Sequence, residues 1–593
     1  MKSLFDWLDQ RTGYRHITRE ALFENIPGGS RWRYVWGSTL TFTLVIQFIT
    51  GIALWMAYSP SSQTAWESVY YIQNEMWGGW FLRGIHHFTA QAMNVLLVLH
   101  LMQVVIDGAY KAPREVNFWF GVVLLLLVLG LSLTGYLLPW DQKGFWATKV
   151  ATNIAGITPI IGPGLQKLII GGSDYGHHTL TRFFALHAGV LPGAIVLLLV
   201  GHIYLFRRHG ITAKQPLKKP DAAFWPDQVF KDAVACLAVL ATVLFFVVRS
   251  GGADLGAPAD PSEPYSAARP EWYFLFLFQF LKYFPGGTEI WGAIIIPSLL
   301  VGVIFLMPFI GKWKLGHRFN IGLLWSLLAG VALLTYFAIA EDQRNIEYVR
   351  SVKEAQASAQ RVKQLAHSPA GIPATGAVTL LRNDPLTQGP KLFAKHCASC
   401  HRYGGHDGTG IVSTNAPEAP DLKGFASREW IAGILDPEKI SSAHYYGGTK
   451  FKDGKMARFV KRDIKEFTPE EQEQLKKVVS ALSAEAWLKS QRKIDDRDAA
   501  IIKEGRVLIA NETMRCTECH QFQNKDENAT APDLTGYGSH QWVTEIISNP
   551  SHPRFYGKRN DRMPAYGEDH ILDAQSIDLL VKWLREEWFE PAE

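Results

Sequence analysis

Seven stretches of this chain, near residues 36–58, 82–107, 116–138, 182–206, 231–250, 288–311 and 319–341, are apolar over the length of a membrane crossing. A spanning helix needs about 20 such residues, and in lipid each backbone amide must be bonded within its own segment, so runs of this kind fold as helices. The averages of 48% hydrophobic and 19% charged residues hide the division, because 34–341 holds the apolar runs and 345–593 is polar and charged. Lys and Arg in the connections set the orientation. With the N-terminus inside, the inner segments carry seventeen basic residues, Lys214, Lys218 and Lys219 among them, and the outer loops five. An odd number of spans then leaves 342–593 outside. The net charge of +5 does not point to nucleic acid, because the basic residues sit in short loops between apolar runs. The first twenty residues have no apolar core and do not read as a cleavable signal peptide, so export relies on the spans. The outer loops 139–180 and 251–287 are long enough to carry function or short helices of their own.

Histidines recur inside the spans at a fixed step. His86 and His100 lie 14 residues apart in the second run, and His187 and His202 lie 15 apart in the fourth. Fourteen residues is nearly four helical turns, so each pair shares one face with about 21 Å of axial separation. Two such helices facing each other offer two bis-His sites at two depths, His86 with His187 and His100 with His202. Glycines repeat the step, Gly37 and Gly51 in the first run and Gly121 and Gly135 in the third. Two porphyrins wedged into a four-helix bundle need missing side chains where their edges press on flanking helices, and glycine allows that approach. Arg83 and Arg182, a few residues before a histidine at the outer end, are placed either to neutralise propionates or to snorkel to the membrane interface. His87 points about 100° from His86 on a helix and is not a ligand. His177 and His178 fall in the outer loop and read as solvated.

GWFLRGIH at 79–86, GYLLPWDQ at 135–142 and LTRFFALH at 180–187, with the histidine and glycine steps, resemble the cytochrome b of quinol-oxidising bc complexes. The likeness is to the chloroplast-type branch, where that protein is split in two, and the 15-residue second spacing matches it. Residues 216–341, from KKPDAAFWPDQ onward, resemble the separate second subunit of that branch. The resemblance covers 1–341 and implies seven spans as four plus three, two non-covalent b haems and a quinol substrate. Val35 stands where that branch has a tethering Cys, so an attached inner haem is not expected.

PEWY occurs at Pro270, Glu271, Trp272 and Tyr273, in the outer loop before an aromatic run. Quinol oxidation releases two protons near the outer surface, so a carboxylate at the edge of an apolar pocket suits the chemistry, and Glu271 is the candidate proton acceptor. The resemblance assigns the matching Glu to quinol binding and proton exit. It also places Tyr273 in that pocket, and Tyr136 with Pro139–Gln142 on the opposite wall. A second quinone site would lie by the inner haem, near Arg207, Arg19 and Glu20.

The polar half contains a duplication. CASCH at 397–401 recurs as CTECH at 516–520, APDLKGF at 419–425 as APDLTGY at 531–537, and Trp430 as Trp542. CxxCH attaches haem through two thioethers with its His as proximal ligand, giving Cys397, Cys400 and His401 in one copy and Cys516, Cys519 and His520 in the other. Within the repeats, Met456 is the one methionine between residues 402 and 513, and Met563 the one after 520, so they are the expected sixth ligands. Met563, in RMPAYG, is the stronger of the two; for the first repeat His406 and His444 stay open. Zinc would need further Cys or His partners, and the one other cysteine, Cys236, lies in an apolar run.

The expectation is an all-α protein: a seven-span bundle followed by two tandem cytochrome c-like helical domains. Its divisions are 1–215 (di-haem four-helix domain), 216–344 (three-helix domain with the PEWY loop), 345–385 (helix, then linker), 386–490 and 491–593. The expected function is bifurcated quinol oxidation coupled to proton translocation, with the fused di-haem region in place of cytochrome c1 or f. No Cys-x-His companion accompanies either CxxCH, so the Rieske iron–sulfur protein is a separate partner. Further small subunits, a soluble cytochrome c or oxidase as acceptor, and a homodimer are expected. The setting is a bacterial cytoplasmic membrane, with the N-terminus cytoplasmic and the c domains periplasmic. The rival reading is a non-bifurcating di-haem conduit between the quinone pool and periplasmic partners. A haem-based sensor lacks a signalling domain.

Overall fold

A computed structural model describes residues 2–212, 220–524, 529–560 and 562–591. Lys214, Lys218, Lys219 and the expected 215/216 boundary lie outside the described residues. The chain forms two compact units, one of Met1–Ala366 with Ile372–Val378, the other of His367–Gly371 with Thr379–Glu593.

Among the described residues, seven helices of the first unit are long and apolar enough to cross a membrane. Among its helices are α1 (Val35–Trp55), α2 (Gly79–Ile106), α3 (Glu115–Tyr136), α4 (Gln142–Gly156), α5 (Gly162–Ile170), α6 (His177–His209), α7 (Asp227–Ser250), α8 (Trp272–Leu281), α9 (Trp291–Ile310), α10 (Gly316–Arg344) and α11 (Ile346–Ala366). Each expected span is present. α6 begins at His177, so His177 and His178 occupy a helical first turn, still exposed, rather than a loop. The two long outer loops do carry short helices, α4 and α5 in the first and α8 in the second.

Exposure runs opposite to that of a water-soluble bundle. Ile49, Leu197 and Val200 are 64%, 75% and 65% exposed, while Thr39, Thr43 and Thr89 are fully buried. Lipid solvates the apolar outer face, so polar and small groups are free to collect between helices. α1 packs on α2, the second half of α6 packs on α3, and α7 lies against α1 and α2. The expected 345–385 linker divides otherwise. α11 belongs to the membrane unit, where Tyr348 stacks under Arg269 at 4.0 Å, and the second unit resumes at Thr379.

The second unit holds α12 (Pro385–His396), α13 (Arg428–Ile434), α14 (Lys455–Arg462), α15 (Pro469–Glu485), α16 (Ala499–Ile509), α17 (His540–Ser548) and α18 (Ala574–Leu584). Its helix starts are locally encoded. Asp384, Ser427, Thr468, Ser539 and Asp573 each cap a first turn by accepting a backbone N–H, the preferred N-cap chemistry.

Candidate haem and quinol sites

α2 and α6 bring the four intramembrane histidines together as two pairs. The ring centres of His86 and His187 are 6.3 Å apart, and those of His100 and His202 are 6.5 Å apart. A metal–imidazole bond of about 2 Å, plus roughly 1.1 Å from nitrogen to ring centre, puts two imidazoles on one metal about 6.3 Å apart. Both pairs therefore have the spacing of two ligands on a shared iron.

Three of the four other ring nitrogens are held. Thr50 donates its hydroxyl to the Ile46 carbonyl at 2.7 Å, so its oxygen is the acceptor for the Nδ1–H of His86 at 2.9 Å. His187 Nδ1 lies 3.1 Å from the Leu131 carbonyl, and His202 Nδ1 lies 3.0 Å from that of Asn117. A proton fixed on Nδ1 leaves Nε2 with its lone pair, the ligating tautomer. His100 Nδ1 is buried without such a partner. The donor set and spacing fit a b-type haem at each depth.

The glycines lie somewhere the sequence did not indicate. Each has an imidazole, rather than a neighbouring helix, over its missing side chain. A Cβ on Gly51 would lie 3.3 Å from His86, on Gly37 3.7 Å from His100, on Gly121 3.3 Å from His202, and on Gly135 2.5 Å from His187. The 14-residue steps of α1 and α3 thus track the four imidazoles. The 15-residue step of α6 has a local cause. Leu186–Val190 forms a π-turn, which absorbs one extra residue for little added rise.

Arg83 donates to Gln73 Oε1 at 2.9 Å and to the Ala253 and Asp254 carbonyls at 2.8 and 2.7 Å, pinning the outer loop to α2. Arg182 is exposed and bonds the Leu168 carbonyl. Both have protein acceptors as partners. His87 bonds Gln91 at 2.8 Å, away from the His86–His187 pair.

The PWDQ segment and the 251–287 loop dock on each other beside Glu271. Trp140 takes a left-handed backbone with φ 49, and the chain through Trp140–Gln142 pairs with the second loop. Gln142 N–H donates to the Ala257 carbonyl and Ala259 N–H to that of Trp140, both at 2.9 Å. Asp141 Oδ2 accepts from the Gly256 N–H at 3.0 Å. Glu271, with a side chain 14% exposed, meets Lys143 Nζ at 3.2 Å. That ammonium also lies 5.6 Å from the Tyr136 ring. Arg269 grips Asp342 with both ends of its fork, at 2.7 and 2.9 Å, which ties the PEWY loop to α10. Trp272 donates to Gln91 at 3.1 Å. Sequence reasoning counted Lys143 only as a loop charge; its place one residue after the PWDQ stretch was the available signal. At the inner end Arg207 pairs with Glu24 at 2.6 Å, whereas Glu20 lies 3.6 Å from His16.

In the second unit, His401 Nδ1 lies 2.8 Å from the Pro420 carbonyl and His520 Nδ1 2.7 Å from that of Pro532. Burial holds both imidazoles below the ordinary histidine range, so they are neutral and present Nε2 as a ligand. These motifs fit covalent haem. Among the described residues no cluster of three or more His, Cys, Asp or Glu side chains is placed to hold a bare metal ion.

Comparison with known proteins agrees. The family model for cytochrome b/b6 matches residues 25–210, that for the C-terminal cytochrome b/b6 region (petD) matches 258–354, and that for cytochrome c matches 386–482. Cytochrome b of Rhodobacter capsulatus is 34% identical over 312 residues, covering 50% of this chain and 71% of the relative. The menaquinol:cytochrome c reductase cytochrome b subunit of Geobacillus thermodenitrificans is 40% identical over 220 residues, covering 36% and 98%. Cytochrome b6 of a Synechococcus strain is 38% identical over 212 residues, covering 36% and 99%. Paired histidines on two spans, the PEWY loop and the CASCH motif thus sit where these matches fall, and the chain belongs to the cytochrome b family of bc-type quinol:cytochrome c oxidoreductases, with a cytochrome c domain fused to its C-terminus.

Proposed function

We propose that this chain is the catalytic core of a quinol:cytochrome c, or other acceptor, oxidoreductase that oxidises quinol at the outer pocket by a bifurcated mechanism coupled to proton translocation. The observation that carries the reading is the pair of imidazole separations, 6.3 and 6.5 Å, stacked along α2 and α6. His86 and His187 would hold the outer b haem, His100 and His202 the inner one. His401 and His520 would hold two c haems attached through Cys397, Cys400, Cys516 and Cys519. Bound haems supply a one-electron route from the outer pocket toward the inner quinone site, while the second electron goes to a separate Rieske partner and on to the c region.

Within this reading Glu271 accepts a quinol proton and Lys143 holds its carboxylate oriented. Tyr136 and Tyr273 flank the substrate, and the docked loops exclude water from it. The c region then stands in for cytochrome c1 or f on the periplasmic side of a bacterial inner membrane, passing electrons to a soluble carrier or oxidase. The test is a redox-titrated visible spectrum of the purified complex with a Rieske immunoblot. Two b and two c haems per chain are expected, with quinol reduction of the b haems blocked by outer-site inhibitors. Absence of extractable protohaem would sink the reading; a full haem complement that never co-purifies with an iron–sulfur protein would favour the simple conduit instead.

A further inference from the structure

The two c-type repeats do not each close on themselves. α12, which leads into CASCH, packs against α18 at the other end of the region, and α16, which leads into CTECH, packs against α15 of the first repeat. Their cores follow. One joins Phe393, Cys397, Tyr403 and Leu422 with Trp542, Met563 and Trp583. The other joins Cys516, Phe522 and Leu534 with Trp430, Tyr445 and Val478. The expected boundary at 490/491 therefore cuts through a lobe. One lobe combines roughly 385–422 with 540–588, and the other is roughly 428–535.

We propose that the repeats exchange their distal ligands: Met563 completes the haem site of His401, and Met456 completes that of His520. This rests on the covalent haem attachment proposed above.

Both methionines are pinned beside the other repeat's motif. Arg562, just before Met563, pairs with Glu418, which follows CASCH. Tyr566, three residues after Met563, donates its hydroxyl to the His396 carbonyl next to Cys397. On the other side, Arg515, adjacent to Cys516, pairs with Asp463 at 2.8 Å and lies 5.8 Å from the Phe459 ring. Phe459 is on α14, whose second residue is Met456. Contacts on both sides of Met563, and those of Phe459 and Asp463 in and just past the helix that carries Met456, leave each methionine little freedom to reach back to its own repeat's haem motif.

The APDL segments form the seam that makes the exchange possible. Trp430 donates its indole N–H to the Asp421 carbonyl at 3.1 Å, and Trp542 donates to that of Asp533 at 2.8 Å. Each bond links an APDL segment to a tryptophan in the opposite core. Phe425 and Tyr537, at matching repeat positions, meet at 5.4 Å where the chain crosses. His444 is held at that seam, its carbonyl accepting from the Asp421 N–H at 2.9 Å, and His406 accepts from the Gly408 N–H at 3.0 Å.

The test uses the full-length chain with Cys516→Ser and Cys519→Ser, so that one covalent haem remains at Cys397 and Cys400. Intact mass confirms that haem and separates a failure of attachment from a failure of the pairing. In this background Met563→His abolishes the sulfur-to-iron charge-transfer band of the oxidised haem and lowers its potential, while Met456→His leaves both unchanged. A response to Met456→His, or none to Met563→His, overturns the proposal. A second measurement does not depend on that background. In the otherwise unaltered chain, Asn383→Cys with Gln575→Cys, whose native side chains are hydrogen-bonded at 2.6 Å, joins through a short bismaleimide to give one cross-linked peptide pair. A folded chain with both haems that yields no such pair also overturns it.

Discussion

Gly135 and Gly37 occupy equivalent positions in the repeating step, yet their surroundings separate them. A methyl group at Gly135 lands 2.5 Å from the His187 ring, inside any tolerable contact, whereas one at Gly37 stands 3.7 Å from His100. Overpacking of this kind costs about 1–3 kcal/mol, and here it falls on a proposed ligand. Gly135→Ala should therefore lose or strongly shift the outer b haem, and Gly37→Ala should leave both b components in place, as read by pyridine haemochrome and potentiometry. At the proton site, Glu271→Gln should lower kcat for quinol oxidation by roughly 10²–10⁴, the usual contribution of a positioned base. Lys143→Met should cost less.

Single residues were legible in the sequence to differing degrees. The four histidines and the CxxCH motifs announce themselves because their chemistry demands fixed spacing. Lys143 and Thr50 do not, since a lysine in a loop and a threonine in a span each have ordinary uses, and only folding brings them to a carboxylate and an imidazole.

At the scale of elements, α6 is the instructive case. Its 15-residue histidine spacing could be read from the chain, and its cause could not. The π-turn at Leu186–Val190 lets His187 and His202 match the 14-residue step of α2 in register. Deleting Gly189, an exposed residue in that turn, should restore plain α-helix and keep both b haems. Deleting Val196, in the regular helix below, should rotate His202 about 100° off its face and remove the inner b haem, measured by the same spectra. Helices themselves were easy to foresee, because twenty apolar residues in lipid have one solution. Which helices pack together in the polar half was not, since α12 could close on α15 or α18 with similar amphipathic faces and local sequence does not choose between them.

For the molecule as a whole, the unit boundary carries its own expectation. α11 reads as the start of a linker, yet it folds with the membrane unit through Tyr348 and Arg269. A chain ending at Val378 should insert and retain its b-haem spectrum while losing all c-type absorbance; one ending at Arg344 should be less thermally stable, as measured by loss of the b spectrum on heating. The seven spans, the duplication and the two chemistries were all visible in advance. The threading of the second unit was not, because a repeat in sequence predicts a repeat in shape but not which copy supplies each part.

That threading has a consequence for biogenesis. α12 and the CASCH motif leave the ribosome first, but the helix they pack against, α18, is made last, almost two hundred residues later. The inner lobe of 428–535 can finish folding while its flanking halves still wait for each other. Maturation of this region should thus run from the middle outward, and an early stop a few dozen residues short of the end would strand the earliest-made motif rather than the latest.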